Sequence, residues 1–276
     1  MMLIDFHTHF FPEKLAARTI EVLRENMRVR MDTDKTAEEL FPVCTNATYD
    51  DTCRLIEESN IDYSVLLPIA TNEKQSANVN NYAEKVNGGR IISFASVHPF
   101  QSDWEYVLEG LSDRGFKGIK LHPEFQQFYI NSKEGMRVLK KADKLGMLIV
   151  IHAGMDPGFD PPYHCTPQML SEVIKEVDPQ KIIAAHMGGM RMWDEVERYL
   201  VGTDINMDTS YISNDIDFKQ YKRIIESHGA DKIVFGSDCP WQDPRNTLND
   251  LMSLGLSDED MELITSGNAL RLLAMQ

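Results

Sequence analysis

Short apolar runs alternate with longer amphipathic segments along the whole chain. Runs rich in Val, Ile, Leu and Phe are typical of buried strands, and apolar residues at helical spacing are typical of helices packed on one side. The pattern predicts strands within 3–9 and over 62–70, 90–97, 116–121, 147–151, 182–185, 205–209 and 232–235. It predicts helices over 12–30, 48–59, 75–87, 103–114, 132–145, 244–254 and 258–274, and another that begins at Thr166 and Pro167.

This strand–helix alternation predicts the fold class α/β, as a single (β/α)8 barrel. Alternation of strands and helices implies parallel strands joined by crossovers, and eight such units close into a barrel. An open doubly wound sheet needs a Gly-rich phosphate loop after its first strand, and His7-Thr8-His9-Phe10 is not one. We expect one domain over 1–276, with 31–47 as an insertion after the first unit.

Length, charge and cysteine content agree with this fold and exclude several classes of protein. The 276 residues suit one barrel, which commonly has about 250. A net charge of -15 argues against nucleic-acid binding and against an anionic membrane surface. No apolar run approaches the roughly 20 residues of a membrane span, and no basic segment precedes the first strand. The four cysteines form no CxxC pair, so we expect a reduced, cytoplasmic protein.

Histidines cluster at the ends of the predicted strands. Of the eight in the chain, His228 stands before Gly229 at a predicted helix end, where a cation complements the helix dipole, and we assign it no function. His7 and His9 are two residues apart, so a strand presents both on one face, where they can share a metal ion. Because the carboxyl ends of barrel strands meet on one face, we expect one shared site there. The strand-end histidines are His7, His9, His98, His122, His152 and His186.

The motifs at these strand ends resemble those of the amidohydrolase superfamily. The matching runs, in chain order, are His7-Thr8-His9, Val150-Ile151-His152-Ala153, Ala185-His186-Met187-Gly188-Gly189 and Phe235-Gly236-Ser237-Asp238. They are most similar to the amidohydrolase-related branch, which includes aminocarboxymuconate-semialdehyde decarboxylase and related hydrolases. The resemblance extends over nearly the whole chain, and it implies a metal-dependent TIM barrel.

The resemblance also implies a role for each matching residue. His7, His9, His152 and Asp238 would bind one divalent metal ion, most often zinc, and His186 would act as a catalytic acid/base. Three nitrogens and one carboxylate leave the open position that a catalytic zinc needs. A metal ion lowers the pKa of its water toward about 7, and Asp238 is placed to accept the proton that the water loses.

Lys120 and His122 lie two apart on the fourth strand, so both face the same side. In binuclear members of the superfamily a lysine on this strand is carboxylated and bridges two metals, whereas the branch resembled here is typically mononuclear. Lys120 is therefore a bridging carbamate that brings a second metal, a substrate contact, or a structural ion pair. We expect His122, His164 and Trp241 to bind substrate. Weaker candidates for the pocket wall are His98, Arg191, Trp193 and Arg245.

The resulting functional hypothesis is an enzyme that uses metal-activated water to hydrolyse an amide, ester or lactone bond of a small molecule. The first alternative is a metal-dependent, non-oxidative decarboxylase of a small unsaturated or aromatic acid, for which Lys120, Arg191 or Arg245 would supply a cation to the substrate carboxylate. The second is a metal-binding barrel without catalysis. Members of this branch are often dimers, so a homodimer is also open.

Overall fold

The computed structural model describes residues 2–31, 33–213 and 215–275. Within them, parallel strands pair in chain order as a three-stranded sheet, β1 to β3, and a five-stranded sheet, β4 to β8. The strands are β1 (Ile4–Thr8), β2 (Tyr63–Leu66), β3 (Ile91–Ser93), β4 (Gly118–Leu121), β5 (Leu148–Ile151), β6 (Ile182–Ala184), β7 (Asn206–Asp208) and β8 (Ile233–Val234).

Backbone hydrogen bonds join the two sheets at both edges. Between β3 and β4, the Ala95 N–H donates to the Gly118 carbonyl over 3.0 Å. Between β8 and β1, the Phe6 N–H donates to the Phe235 carbonyl over 2.8 Å. The regular ladders stop at these two edges, but the order of eight parallel strands is that of a (β/α)8 barrel, so the predicted fold is confirmed.

Helices follow the strands as the apolar spacing predicts. The long helices with predicted bounds begin and end within about two residues of them, but the last predicted helix is divided by a wide turn over 263–267. No bounds were predicted for the helices after β6 and β7. The segment 31–47 carries a short helix capped by Thr36 and Glu39, and its status as an insertion stays a prediction. The α-helices are Glu13–Arg28, Ala37–Leu40, Tyr49–Glu58, Ser76–Val86, Trp104–Asp113, Pro123–Gln126, Lys133–Lys144, Pro167–Val173, Trp193–Tyr199, Phe218–His228, Pro244–Ser253, Asp258–Glu262 and Asn268–Leu272.

Most strands are shorter than their apolar runs. The second predicted strand, for example, ends at Leu66, although Leu67 and Ala70 beyond it are fully buried. An apolar run indicates that residues are buried, and it does not show that they pair with a neighbouring strand. The run therefore continues into the loops that cover the carboxyl end of the barrel. These loops carry the candidate site.

The two faces of each strand pack into different cores. On β5, Ile149 and Ile151 pack in a large cluster that also contains Leu139 of a surrounding helix. Leu148 and Val150 pack in a smaller cluster made of strand residues and the last helix. Both faces are therefore buried, as expected for a parallel sheet. Among the described residues, the helices are too short or too polar to cross a membrane.

His228 differs from the sequence-based interpretation. It is buried, and burial lowers the pKa of its imidazole, so the residue is neutral and not a cation at the helix end. Its Nε2 lies 2.8 Å from the Ile205 carbonyl and its Nδ1 accepts the Gly202 N–H over 3.3 Å. His228 therefore fastens its helix to the turn before β7.

Candidate metal centre

Three predicted metal ligands meet at the carboxyl ends of β1 and β8. His7 Nε2 and His9 Nε2 are 3.1 Å apart. The Asp238 Oδ1 atom lies 3.1 Å from His9 Nε2 and 3.5 Å from His7 Nε2. The residues are adjacent because β8 pairs with β1 across the barrel edge, where the Asp238 N–H donates to the His7 carbonyl.

Hydrogen bonds on the far side of each ring fix which nitrogen points into this group. His7 Nδ1 lies 2.7 Å from Asp208 Oδ2, and His9 Nδ1 lies 2.8 Å from the Leu67 carbonyl. Both partners only accept hydrogen bonds, so each Nδ1 carries the proton and each Nε2 presents a lone pair. Burial lowers the pKa of His7 to about 4, which keeps its ring neutral and able to bind a metal.

The donor set fits a divalent metal ion. Ligand atoms about 2.0–2.1 Å from one zinc ion are separated by roughly 3.3 Å in a tetrahedron. The observed separations of 3.1, 3.1 and 3.5 Å match that spacing. Burial alone would raise the pKa of Asp238, but His7 and His9 lower it to about 2, so its carboxylate is ionised. Two lone pairs and a carboxylate oxygen in mutual contact are stabilised by a cation between them.

Lys120 lies beside this group on β4. Its side chain is 1% exposed, and its Nζ is 3.1 Å from His7 Nε2. Burial lowers the pKa of this amine to about 8. In the part of the chain that the structure describes, no carboxylate oxygen lies within 4.0 Å of Lys120 Nζ, the distance that defines an ion pair. Asp208 and Asp238 attract the Lys120 ammonium from farther away, and which of its three predicted roles applies stays a prediction.

His186 contacts the fourth predicted ligand, His152. Its Nδ1 lies 2.9 Å from the Ser210 carbonyl, so that nitrogen carries the proton, and its Nε2 lies 3.0 Å from His152 Nδ1. His152 Nδ1 then donates to His186, and His152 Nε2 is left with a lone pair. That Nε2 is buried and has no hydrogen-bond partner among the described residues.

His152 belongs to a second group of possible ligands, with His122 and Asp156. The rings of His122 and His152 stack at 4.1 Å between centroids. Asp156 Oδ2 lies 3.3 Å from His122 Nε2 and 4.0 Å from His152 Nε2. Burial lowers the pKa of both histidines well below the usual value. His152 as a ligand of the first group stays a prediction, as does His122 as a substrate contact.

His164 and Trp241 border the site from its loops. His164 Nδ1 lies 3.1 Å from Glu124 Oε2, and its ring meets Tyr129 at 4.5 Å between centroids. Trp241 is half-buried, and its backbone N–H donates to the Asp238 carbonyl. Their roles in substrate binding stay predictions.

The weaker candidates are engaged elsewhere. Arg191 is paired with Asp215 at 2.6 Å, and Arg245 with Asp243 at 2.5 Å. His98 Nδ1 accepts the backbone N–H of Phe100 over 3.4 Å, and Trp193 Nε1 donates to the His186 carbonyl. Both arginines are thus neutralised by an acid in the structure.

Sequence reasoning missed two carboxylates of this site. Asp208 ends β7 and contacts His7, and Asp156 lies in the loop after β5. The rule that selected Asp238, a carboxylate at a strand end, also applies to Asp208. No such signal exists for Asp156, because its place depends on the path of a loop.

The family model described as Amidohydrolase matches residues 4–275. The chain belongs to the amidohydrolase family. The resemblance seen in the strand-end motifs is therefore confirmed, and the chain is a member of a family of metal-dependent enzymes. None of the curated proteins matches the sequence.

Solved structures with the same fold include two decarboxylases and a hydrolase. The 5-carboxyvanillate decarboxylase of Sphingomonas paucimobilis is 12% identical, with a TM-score of 0.70 over 100% of this chain and 99% of that one. A dihydroxybenzoic acid decarboxylase of Polaromonas with bound manganese is 16% identical, with a TM-score of 0.69 over 99% and 97%. A probable 2-pyrone-4,6-dicarboxylic acid hydrolase of Acinetobacter baumannii is 16% identical, with a TM-score of 0.65 over 100% of both chains.

Proposed function

We propose that this protein is a metal-dependent decarboxylase that removes the carboxyl group of a small aromatic or unsaturated acid without oxidation. The observation that carries the proposal is a buried lysine, Lys120, beside the predicted metal-ligating histidines and, among the described residues, without a carboxylate at ion-pair distance. The fold it shares with two decarboxylases of aromatic acids supports the same reaction. Decarboxylation is thus favoured over the hydrolysis that the motifs first suggested.

Lys120 is suited to hold the substrate carboxylate. A buried ammonium group beside a metal cation is stabilised further by an anion that contacts both. A substrate carboxylate satisfies this requirement, because it can be bonded by the amine while it approaches the metal. Of the three cations considered from the sequence, Arg191 and Arg245 already have acidic partners, so Lys120 is the one we assign.

His7, His9 and Asp238 would hold the metal ion, with His152 as the predicted fourth ligand. The ion would supply Lewis-acid polarisation of a substrate oxygen. His186 lies at 3.0 Å from His152 and is oriented by Ser210, so we assign it the proton transfer. The reaction balances when the bond to the carboxyl carbon breaks, carbon dioxide leaves, and the substrate carbon takes one proton in its place.

Hydrolysis of a lactone or related bond is the second candidate. The same donor set suits it, and the fold is shared with a probable hydrolase of a pyrone dicarboxylic acid. That compound is also an acid, so Lys120 would bind a carboxylate in either reaction. Product analysis separates the two, because only decarboxylation releases carbon dioxide.

The test begins with metal content and continues with Lys120. Protein purified without chelators is analysed for zinc and manganese, then supplied with hydroxylated benzoic acids while carbon dioxide is measured. We expect Lys120→Met to lower kcat/KM by 10²-fold or more, about 3 kcal/mol, through loss of the carboxylate contact. Lys117→Met is the control, because Lys117 directly precedes β4, at the end of the strand away from the site, where its amine bonds the Leu273 carbonyl.

Carbon dioxide release that is unchanged in Lys120→Met would refute the role of Lys120. Lactone hydrolysis without carbon dioxide would replace the first candidate with the second. Two ions per chain with a carboxylated Lys120 would support the bridging carbamate. Zinc as the native ion, a homodimer and a cytoplasmic location are kept as further parts of the proposal, tested by the elemental analysis, by mass in solution and by cell fractionation.

A further inference from the structure

One carboxylate, Asp208, contacts both the predicted metal ligand His7 and the predicted acid/base His186. It is 0% exposed and ends β7. Its Oδ2 lies 2.7 Å from His7 Nδ1. Its Oδ1 accepts hydrogen bonds from the backbone N–H groups of His186 and Ser210, each over 3.0 Å, and from the Ser210 hydroxyl over 2.5 Å. Each oxygen thus serves a different histidine.

We propose that Asp208 is a positioning residue that selects the metal-binding tautomer of His7 through Oδ2 and fixes the place of His186 through Oδ1. The proposal rests on the metal centre of the proposed function, but it is independent of the reaction catalysed. Metal affinity and proton transfer then both depend on one side chain that contacts neither metal nor substrate.

The tautomer of His7 decides which of its ring nitrogens can bind a metal ion. With Oδ2 as its partner, Nδ1 carries the proton and Nε2 offers its lone pair to the metal. If Nδ1 faced a donor, it would have to accept, and the proton would move to Nε2. The protonated Nε2 would then face His9 Nε2 and Asp238 Oδ1 and could not bind a metal ion.

The contacts of Asp208 determine how an amide would sit in its place. Three donors converge on Oδ1, from His186 N, Ser210 N and Ser210 Oγ, whereas among the described residues only His7 bonds Oδ2. In Asp208→Asn, the amide oxygen would stay with the three donors, and the NH2 group would face His7 Nδ1. The substitution would therefore reverse the tautomer of His7 at almost unchanged volume.

The experiment measures metal affinity of the purified full chain by competition with a chromophoric chelator, for both zinc and manganese. We expect Asp208→Asn to weaken metal binding 10- to 100-fold, the range typical for residues that orient a ligand. Ser210→Ala keeps the contact to His7 and loses the hydroxyl near His186 Nδ1, at 3.0 Å. It should keep the wild-type metal affinity and shift the pH profile of kcat.

Asp5→Asn is the matched control. Asp5 is as buried as Asp208, and it accepts the backbone N–H of His7 and both donors of Ser237, but it does not touch the His7 ring. We expect its metal affinity to stay within about threefold of the wild type. Equal weakening in Asp5→Asn and Asp208→Asn would overturn the proposal, because it would show a general effect of a lost buried carboxylate.

A second measurement uses the wild-type chain and does not depend on the variants folding. Nitrogen-15 NMR of the histidines in metal-free protein, assigned with a His7→Gln sample, distinguishes the two tautomers. We expect His7 to carry its proton on Nδ1, and a proton on Nε2 would overturn the proposal. If the wild type bound no metal, that result would refute the metal centre of the proposed function, but it would leave the tautomer of His7 untouched.

Discussion

Removal of His9 and removal of His7 should have different consequences for folding, although both should abolish metal binding. The side chain of His9 is 13% exposed, and its Nδ1 bonds a backbone carbonyl, that of Leu67. His7 is 1% exposed, and its Nδ1 donates a hydrogen bond to one oxygen of the buried Asp208. Replacement of His7 by alanine removes that hydrogen bond from a buried carboxylate, whereas after replacement of His9 the Asp238 carboxylate still has His7 Nε2 at 3.5 Å.

The magnitudes follow from these contacts. A hydrogen bond to a charged group contributes about 1.5–3 kcal/mol of stability, so we expect His7→Ala to lose that much even without metal. His9→Ala should lose about 1 kcal/mol, the contribution of one hydrogen bond. For the wild type, free metal at 100 times Kd should add about 2.7 kcal/mol, or roughly 5–10 °C in Tm for a chain of this size.

Thermal and urea unfolding with and without added metal test this reasoning. We expect a metal-dependent rise of Tm in the wild type and none in either variant, with His7→Ala alone strongly destabilised in the presence of a chelator. Equal stability of the two metal-free variants would refute the role given to the His7–Asp208 contact. A metal-dependent rise in both variants would refute the ligand assignment.

Two further predictions concern other histidines. His186→Asn should keep metal content and lower kcat by about 10²–10⁴-fold, as for a lost acid/base, and full activity in this variant would remove His186 from the mechanism. The lowered pKa of buried His228 means that the unfolded chain binds its proton more readily, so this residue stabilises the fold above about pH 6.5 and loses that contribution as the pH falls through its folded pKa. Urea unfolding between pH 7 and 5 should therefore show a steeper loss in the wild type than in His228→Gln, and parallel curves would contradict it.

The sequence by itself determined the barrel and the face on which its chemistry lies. Period-2 and period-3.6 apolar patterns are local properties of a segment, so β5 and its following helix could be predicted without knowing what they pack against. Residues that end parallel strands meet on one face whatever the loops do. This is why His7, His9 and Asp238 could be grouped although 229 positions separate His9 from Asp238.

Tertiary structure decided how each of these groups is used. Whether Lys120, Arg191 or Arg245 has a free charge depends on which acid lies within ion-pair distance, and that pairing is not encoded in local spacing. The tautomer of His7 depends on Asp208, which is 201 residues away. Hydrogen-bond partners of a buried ring are set by angles and distances of a few tenths of an ångström, and only the packed barrel fixes those.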